Sequence, residues 1–416
     1  MDDHATFGIL VGGGPAPGIN GVIASATIEA VNAGCRVIGI FDGFKWLAQG
    51  KAQYAQELRI EDVSRIHWLG GSILRTSRTN PAKDALSLSN AVRALRELGI
   101  THLLCIGGDD TTFGAAKVAG AAAGAVHVAT VPKTIDNDLP LPDNMPTFGF
   151  ETARAVGSGI VESLMEDART TQRWYFAVTM GRKSGALALG ITKASGATLA
   201  IIPEEFKHTP VPLSLVRDTL VGSIIKRRVS GHDHGVAVIA EGVAECLNAT
   251  ELTTLNDVAR DAYGNVRLSD IDLGATLQSA TAAALDELKI DTTLVTKDIG
   301  YELRCAKPLA FDVEYTRTLG YGAVRYLLGG GSGAMVALRG GKVAPVTLHE
   351  MMDPASGRIR VRHVDTSTEA YEVGRKYMIR LEPGDLEPPK LSSLAAAAHL
   401  DAREFQKRFE PVVHSA

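Results

Sequence analysis

Apolar residues recur along the chain in short, continuous, β-branched runs: Phe7 to Val11, Arg36 to Phe41, Leu103 to Ile106, Val126 to Val131, Tyr175 to Thr179, Leu199 to Ile202 and Val236 to Ile239. A run with no polar alternation predicts a strand covered on both faces. Between the runs lie stretches with helical spacing, among them Gly18 to Asn32, Asn90 to Leu98, Ala153 to Ala168, Leu213 to Arg228 and Ile271 to Leu288. The Ala-rich stretch Thr112 to Val131 contains Lys117 and His127 and is too weakly apolar for a membrane span, so it reads as a helix followed by a strand. Alternation of this kind predicts an α/β chain of two doubly wound lobes with mainly parallel sheets. After Gly340 the pattern becomes irregular, with one helix expected near Leu391 to Arg408.

A length of 416 residues is material for two or three domains. Lys+Arg 43 against Asp+Glu 47 leaves a net charge of −4, which provides no basic excess for nucleic acid or an anionic membrane surface. The acidic start Met1-Asp2-Asp3-His4 lacks the positive region of a secretory signal. Cys35, Cys105, Cys246 and Cys305 are scattered and form no C-x-x-C pair. They are expected as buried thiols in a reducing compartment, which makes the cytoplasm the simplest location.

Ligands of open α/β sheets bind beyond the carboxyl ends of the strands. After the first run comes Gly12-Gly13-Gly14-Pro15-Ala16-Pro17-Gly18-Ile19-Asn20, glycines that let backbone N–H groups approach an anion, followed by a helix start. It fits neither G-x-G-x-x-G nor the Walker A pattern; its plain alternative is a turn needed for packing. Gly107-Gly108-Asp109-Asp110-Thr111-Thr112 and Pro132-Lys133-Thr134-Ile135-Asp136-Asn137-Asp138 follow the next two runs. Either segment alone is explained by helix caps and Asx turns. Together they bring four carboxylates to neighbouring strand ends, where a pair about 4 Å apart repels by up to about 4 kcal/mol at intermediate dielectric. A hard cation such as Mg²⁺ beside a Gly-rich anion loop would relieve that repulsion, and this is an arrangement suited to phosphoryl transfer. Met180-Gly181-Arg182, Glu241-Gly242, Gly300-Tyr301-Glu302-Leu303-Arg304 and the pair Arg75 and Arg78 add contacts and guanidinium groups suited to phosphate.

From about Phe7 to about Tyr326, the series GGGPAPGIN, GGSILRTSR, GGDDTT, PKTIDND, MGRKSG, IIPEE, AEG and GYELR resembles the phosphofructokinases in order and spacing. The resemblance is to the diphosphate-dependent branch. ATP-dependent relatives have Gly where this chain has Asp110, whose carboxylate would fill and repel the nucleotide site, and usually Gly where this chain has Lys133, whose ammonium can hold diphosphate (PPi). The resemblance implies a site in the cleft between two lobes, with 1–147 and roughly 305–345 binding diphosphate and Mg²⁺, 148–304 binding the sugar phosphate, and 346–416 an extension of unassigned role.

By position, Asp136 resembles the general base for the C1 hydroxyl of fructose 6-phosphate, and Asp109 the Mg²⁺ contact. Gly13, Lys133 and Arg78 resemble donor contacts, with Asp110 and Lys133 setting donor choice. Thr134, Asp136, Met180, Gly181, Arg182, Glu241, Tyr301 and Arg304 resemble the sugar-phosphate contacts. Asp138 is expected to partner a nearby Arg, and Arg173 to reach across a subunit boundary. Tyr301 stands where many members have His, and Lys297 is the nearest cation to an Arg that is not matched. The implied reaction is reversible phosphoryl transfer from PPi to fructose 6-phosphate, usable in glycolysis, with sedoheptulose 7-phosphate as another acceptor and a homodimer or homotetramer as the assembly. The alternatives are an ATP-dependent phosphofructokinase and a catalytically silent regulatory subunit; an NAD- or lipid-kinase reading leaves Thr134 to Asp138 unexplained.

Overall fold

The computed structural model describes residues 5–206, 208–248, 251, 271–355 and 357–414. The chain divides into two compact units, Met1–Ala153 with Tyr301–Arg362, and Arg154–Gly300 with His363–Ala416. Residues 346–416, expected as one extension, are thus shared between the two.

The first unit is built on a seven-stranded sheet in the order β11-β10-β5-β4-β1-β2-β3. Its strands are β1 (Thr6–Val11), β2 (Arg36–Ile40), β3 (Ala55–Glu57), β4 (His102–Gly107), β5 (His127–Pro132), β10 (Ala334–Arg339) and β11 (Lys342–Thr347). The five central strands run parallel, and β3 and β11 close the edges antiparallel. Side chains alternate across the pleat: Phe7, Ile9 and Val11 of β1 and Leu104 and Ile106 of β4 enter one core with Ile19, Val22 and Leu319. Leu10, Leu103 and Cys105 enter the other, with Ala91, Leu95 and Val118. Both faces are covered, which is why these strands read as unbroken apolar runs. On the first face, helices Ile19–Asn32 and Ala310–Leu328 approach closely, since a Cβ on Gly320 would lie 2.0 Å from Ser25 Oγ. The Ala-rich stretch forms helix Asp109–Ala122 and then β5.

The second unit carries a four-stranded, wholly parallel sheet, β7-β8-β6-β9, made of β6 (Arg173–Thr179), β7 (Leu199–Ile201), β8 (Gly235–Ala240) and β9 (Thr293–Ile299). All seven apolar runs are strands. The strands outside those runs are β9, an edge strand carrying exposed Lys297 and Asp298, the short β3, the edge strand β11, and β10, itself an apolar run from Ala334 to Leu338. The helix expected near Leu391 to Arg408 is two, Lys390–Ala397 and Ala402–His414, separated at His399, whose φ of 54° no helix accommodates. These C-terminal residues complete the unit's packing. Leu381 and Phe409 cover Gly222, where a Cβ would lie 2.6 Å from Leu381 Cδ1, and ion pairs join Lys226 to Asp385 at 2.6 Å, Arg408 to Asp218 at 3.2 Å and Arg380 to Glu205 at 2.6 Å.

All four cysteines are free thiols, but only Cys105 is buried; Cys35 and Cys246 are half-buried. Cys305 is exposed, against expectation: its backbone is pressed on Gly70, where a Cβ would lie 2.0 Å from the Cys305 carbonyl oxygen.

Candidate active site

In the first unit, the segments following β1, β4 and β5 meet because those strands are neighbours. Gly12 and Gly107 both press on the buried Thr111, where a Cβ on Gly12 would lie 2.3 Å from Thr111 Oγ1 and one on Gly107 2.3 Å from its Cβ. Gly13 takes a left-handed φ of 82° and donates its N–H to Ser77 O at 2.8 Å, while Thr76 Oγ1 donates to Gly13 O at 2.6 Å. The Gly-rich turn is thereby stitched to the strand-like segment 76–78, which carries Arg78. Its neighbour Arg75 is engaged elsewhere, in an ion pair with Asp42 at 2.8 Å and over the Phe41 ring at 4.9 Å.

Asp109 and Asp110 form the first turn of their helix, where carboxylates favour the positive end of the macrodipole. Asp109 Oδ1 accepts from Asp110 N at 2.8 Å, and the Asp110 side chain is exposed. Lys133 N donates to Gly107 O at 3.0 Å, joining this turn to the segment after β5.

Lys133 is the electrostatic centre of the unit. It is 5% exposed, its Nζ donates to Gly14 O at 2.5 Å, and it would lie 3.2 Å from a Cβ on Gly13. Burial pulls its pKa down to about 8; Arg304 and Arg78 press it lower, while Asp136 and Asp138 hold it up. Lys133, Arg304, Arg78, Asp136 and Asp138 therefore share one field. Arg304 also lies 3.5 Å from a Cβ on Gly14 and stacks on Tyr301, itself 79% exposed, at 5.6 Å. Lys133 thus sits in the field of both Asp136 and Asp138.

Thr134 braces the turn: its Oγ1 accepts from Asp136 N at 3.0 Å and its carbonyl from Thr147 Oγ1 at 2.7 Å. The Arg facing Asp138 is Arg362, whose pKa burial lowers and Asp138 raises. Neither Thr147 nor Arg362 carries a motif. Arg362 lies 225 residues after Asn137, its hydrogen-bond partner, so only the folded chain pairs them.

The four other expected sugar-phosphate residues belong to the second unit. Met180, Gly181 and Arg182 follow β6 and Glu241 follows β8, its paired neighbour. Glu241 Oε1 accepts from Gly181 N at 3.2 Å. Gly181 has φ 127° and no room for a side chain, since a Cβ would lie 2.7 Å from Ser184 O. Gly300 packs on Met180, and Arg182 pairs with Glu245 at 3.2 Å. The segment is held from behind by Glu204, which accepts from Gly185 N at 2.9 Å and Val364 N at 3.0 Å. Arg173 sits at the opposite end of β6, with its Nε buried and lacking a hydrogen-bond partner. Among the described residues, no group of three His, Cys, Asp or Glu is placed to hold a metal ion, and no helix is long and apolar enough to cross a membrane.

A Gly-rich turn at the ends of parallel strands thus lies beside the buried Lys133, with Arg304, Asp136 and Asp138 half-buried and Arg78 exposed around it. The sequence profile described as Phosphofructokinase matches residues 6–327, and the chain belongs to that family. It is 54% identical over 409 residues to the pyrophosphate–fructose 6-phosphate 1-phosphotransferase of Thermotoga maritima, covering 97% of each chain. It is 47% identical over 418 residues to the Naegleria fowleri protein of the same description, covering 98% of this chain and 96% of that one. Among solved structures, Pichia pastoris phosphofructokinase in the T-state superposes with a TM-score of 0.67 at 20% identity; 98% of this chain corresponds to only 39% of that one. The pyrophosphate-dependent phosphofructokinase of Nitrosospira multiformis gives 0.67 at 16% identity over 90% of each chain. At those identities the structures speak for the fold.

Proposed function

We infer that this chain transfers a phosphoryl group reversibly between diphosphate and the C1 hydroxyl of fructose 6-phosphate. The observation that carries the reading is the buried ammonium of Lys133 against the Gly13–Gly14 backbone, flanked by Arg304, Arg78 and Asp136. Diphosphate is small and densely anionic, and a buried cation beside glycines that leave the backbone approachable suits it better than it suits a nucleotide. Asp110, exposed on the first helical turn, stands where ATP-dependent relatives have Gly, and by that resemblance its carboxylate favours PPi over ATP.

Asp136 accepts the proton of the attacking C1 hydroxyl; the loose transition state asks little of the base beyond position and an ionised carboxylate. Gly13, Lys133 and Arg78 orient the donor. Thr134, Met180, Gly181, Arg182, Glu241, Tyr301 and Arg304 bind the sugar phosphate, with Arg304 on the 6-phosphate. Mg²⁺ is the implied cofactor, and Asp109, a carboxylate in the first turn of its helix, would hold it, since Mg²⁺ seldom needs an all-protein cage. When bound, it would neutralise charge on the transferred phosphoryl group. The family resemblance adds homo-oligomeric assembly, a cytoplasmic location and sedoheptulose 7-phosphate as a second acceptor.

The test supplies purified chain, Mg²⁺ and fructose 6-phosphate with PPi or ATP separately. Turnover with PPi alone is expected; turnover with ATP alone overturns the donor assignment, and silence with both favours a regulatory subunit.

A further inference from the structure

The shape of segment 134–138 is held by its own Thr134–Asp136 bond and by contacts from distant residues. Asn137 sits in the left-handed region at φ 56°, immediately after Asp136. Asn enters the left-handed region more readily than other non-glycine residues, and contacts around it select that conformation here.

Those contacts are supplied largely by one side chain. Arg362 Nε donates to Asn137 O at 2.9 Å, its Nη1 donates to Met145 O at 2.8 Å, and its Nη2 donates to Asn137 Oδ1. The Arg362 backbone N–H adds a bond to Asp138 O at 2.8 Å. Asn137 Oδ1 also accepts from Thr147 N at 3.0 Å, so the turn and the segment at 145–147 are fixed to each other through Arg362 and Asn137. Three of the four acceptors are backbone carbonyls, so the contact reads the path of the chain. A planar guanidinium can serve three acceptors in different directions at once; an ammonium on a flexible stem cannot hold the same geometry.

We propose that Arg362 is a positioning residue for the reaction: its guanidinium fixes the 134–138 turn so that the Asp136 carboxylate meets the acceptor hydroxyl. This rests on the reading of Asp136 as the base. Binding of either substrate does not require Arg362; reaching the transition state does. Loss of its side chain therefore lowers kcat and leaves KM nearly alone, because a misplacement of about 1 Å can cost on the order of 10²-fold in rate.

The experiment measures kcat and KM for PPi and fructose 6-phosphate in the full chain and in Arg362→Ala, Arg362→Lys, Asn137→Gly and Asp136→Asn, with guanidinium chloride added at millimolar, non-denaturing concentration. Expected for Arg362→Ala is a fall in kcat of about 10²-fold with each KM within about threefold, recovered at least tenfold by guanidinium. Arg362→Lys should stay near Arg362→Ala. A kcat for Arg362→Ala within threefold of the parent, or full activity in Arg362→Lys, overturns the proposal. If Arg362→Ala does not fold, Asn137→Gly decides: it keeps left-handed freedom but removes one acceptor, and an unchanged kcat there overturns the proposal, whereas a three- to tenfold fall at constant KM supports it. Asp136→Asn separates the two readings, since near-parental turnover in that variant refutes the base assignment whatever Arg362 does.

Discussion

Replacing Lys133 with Met removes a charge that the fold holds at a cost. The fall of its pKa from 10.5 to about 8 corresponds to a preference of about 3 kcal/mol against the ammonium. Unfolded chain binds that proton more strongly than folded chain, so the penalty is present in full below pH 8 and fades as pH rises towards 10.5. Met is nearly isosteric but forfeits the bond to Gly14 O, worth about 1 kcal/mol net. Lys133→Met should therefore be more stable than the parent by about 2 kcal/mol at pH 7, with the advantage falling to about zero near pH 10. Urea unfolding of the pair at both pH values, followed through the first unit, measures this, and a parallel assay should show use of PPi reduced by at least two orders of magnitude. A variant less stable than the parent at pH 7, by a margin that does not change with pH, would refute the burial argument.

Three further outcomes follow from particular contacts. Asp110→Gly should admit ATP as donor at a rate measurable above the parent's while PPi turnover persists, read by coupled assay with each donor. Arg380→Met leaves Glu205, which also accepts from Tyr371 OH at 2.7 Å, as a buried carboxylate without its cation; a loss of about 3–5 kcal/mol is expected by denaturation of the second unit. Gly181→Ala places a methyl against Ser184 O at a left-handed backbone position and should raise KM for fructose 6-phosphate at least tenfold, with KM for PPi within threefold.

The central strands were legible because burial on both faces leaves a continuous apolar run, as in Phe7 to Val11 and Val236 to Ile239. Some edge strands carry no such mark, although β7, at the edge of the second sheet, does. β9, with Lys297 and Asp298 exposed, and the three-residue β3 are strands because a neighbour offers backbone partners, which is a property of the sheet. The C-terminal residues were illegible for the same reason: Leu381, Arg380 and Asp385 meet partners more than 150 residues earlier in the chain, Gly222 and Lys226.

For the site, the chain by itself determined which residue types follow each strand: glycines where backbone must approach an anion, and Asp, Lys and Arg in a fixed local order. It did not determine their charge balance. Four carboxylates seen in sequence suggested a repulsion for a cation to relieve, and folding sets Lys133 in the field of Asp136 and Asp138 and Arg362 in the field of Asp138. Only tertiary structure could decide this, because desolvation and Coulomb interaction depend on burial and on distance through space. Arg362 lies next to Asn137 in space and 225 residues from it in sequence.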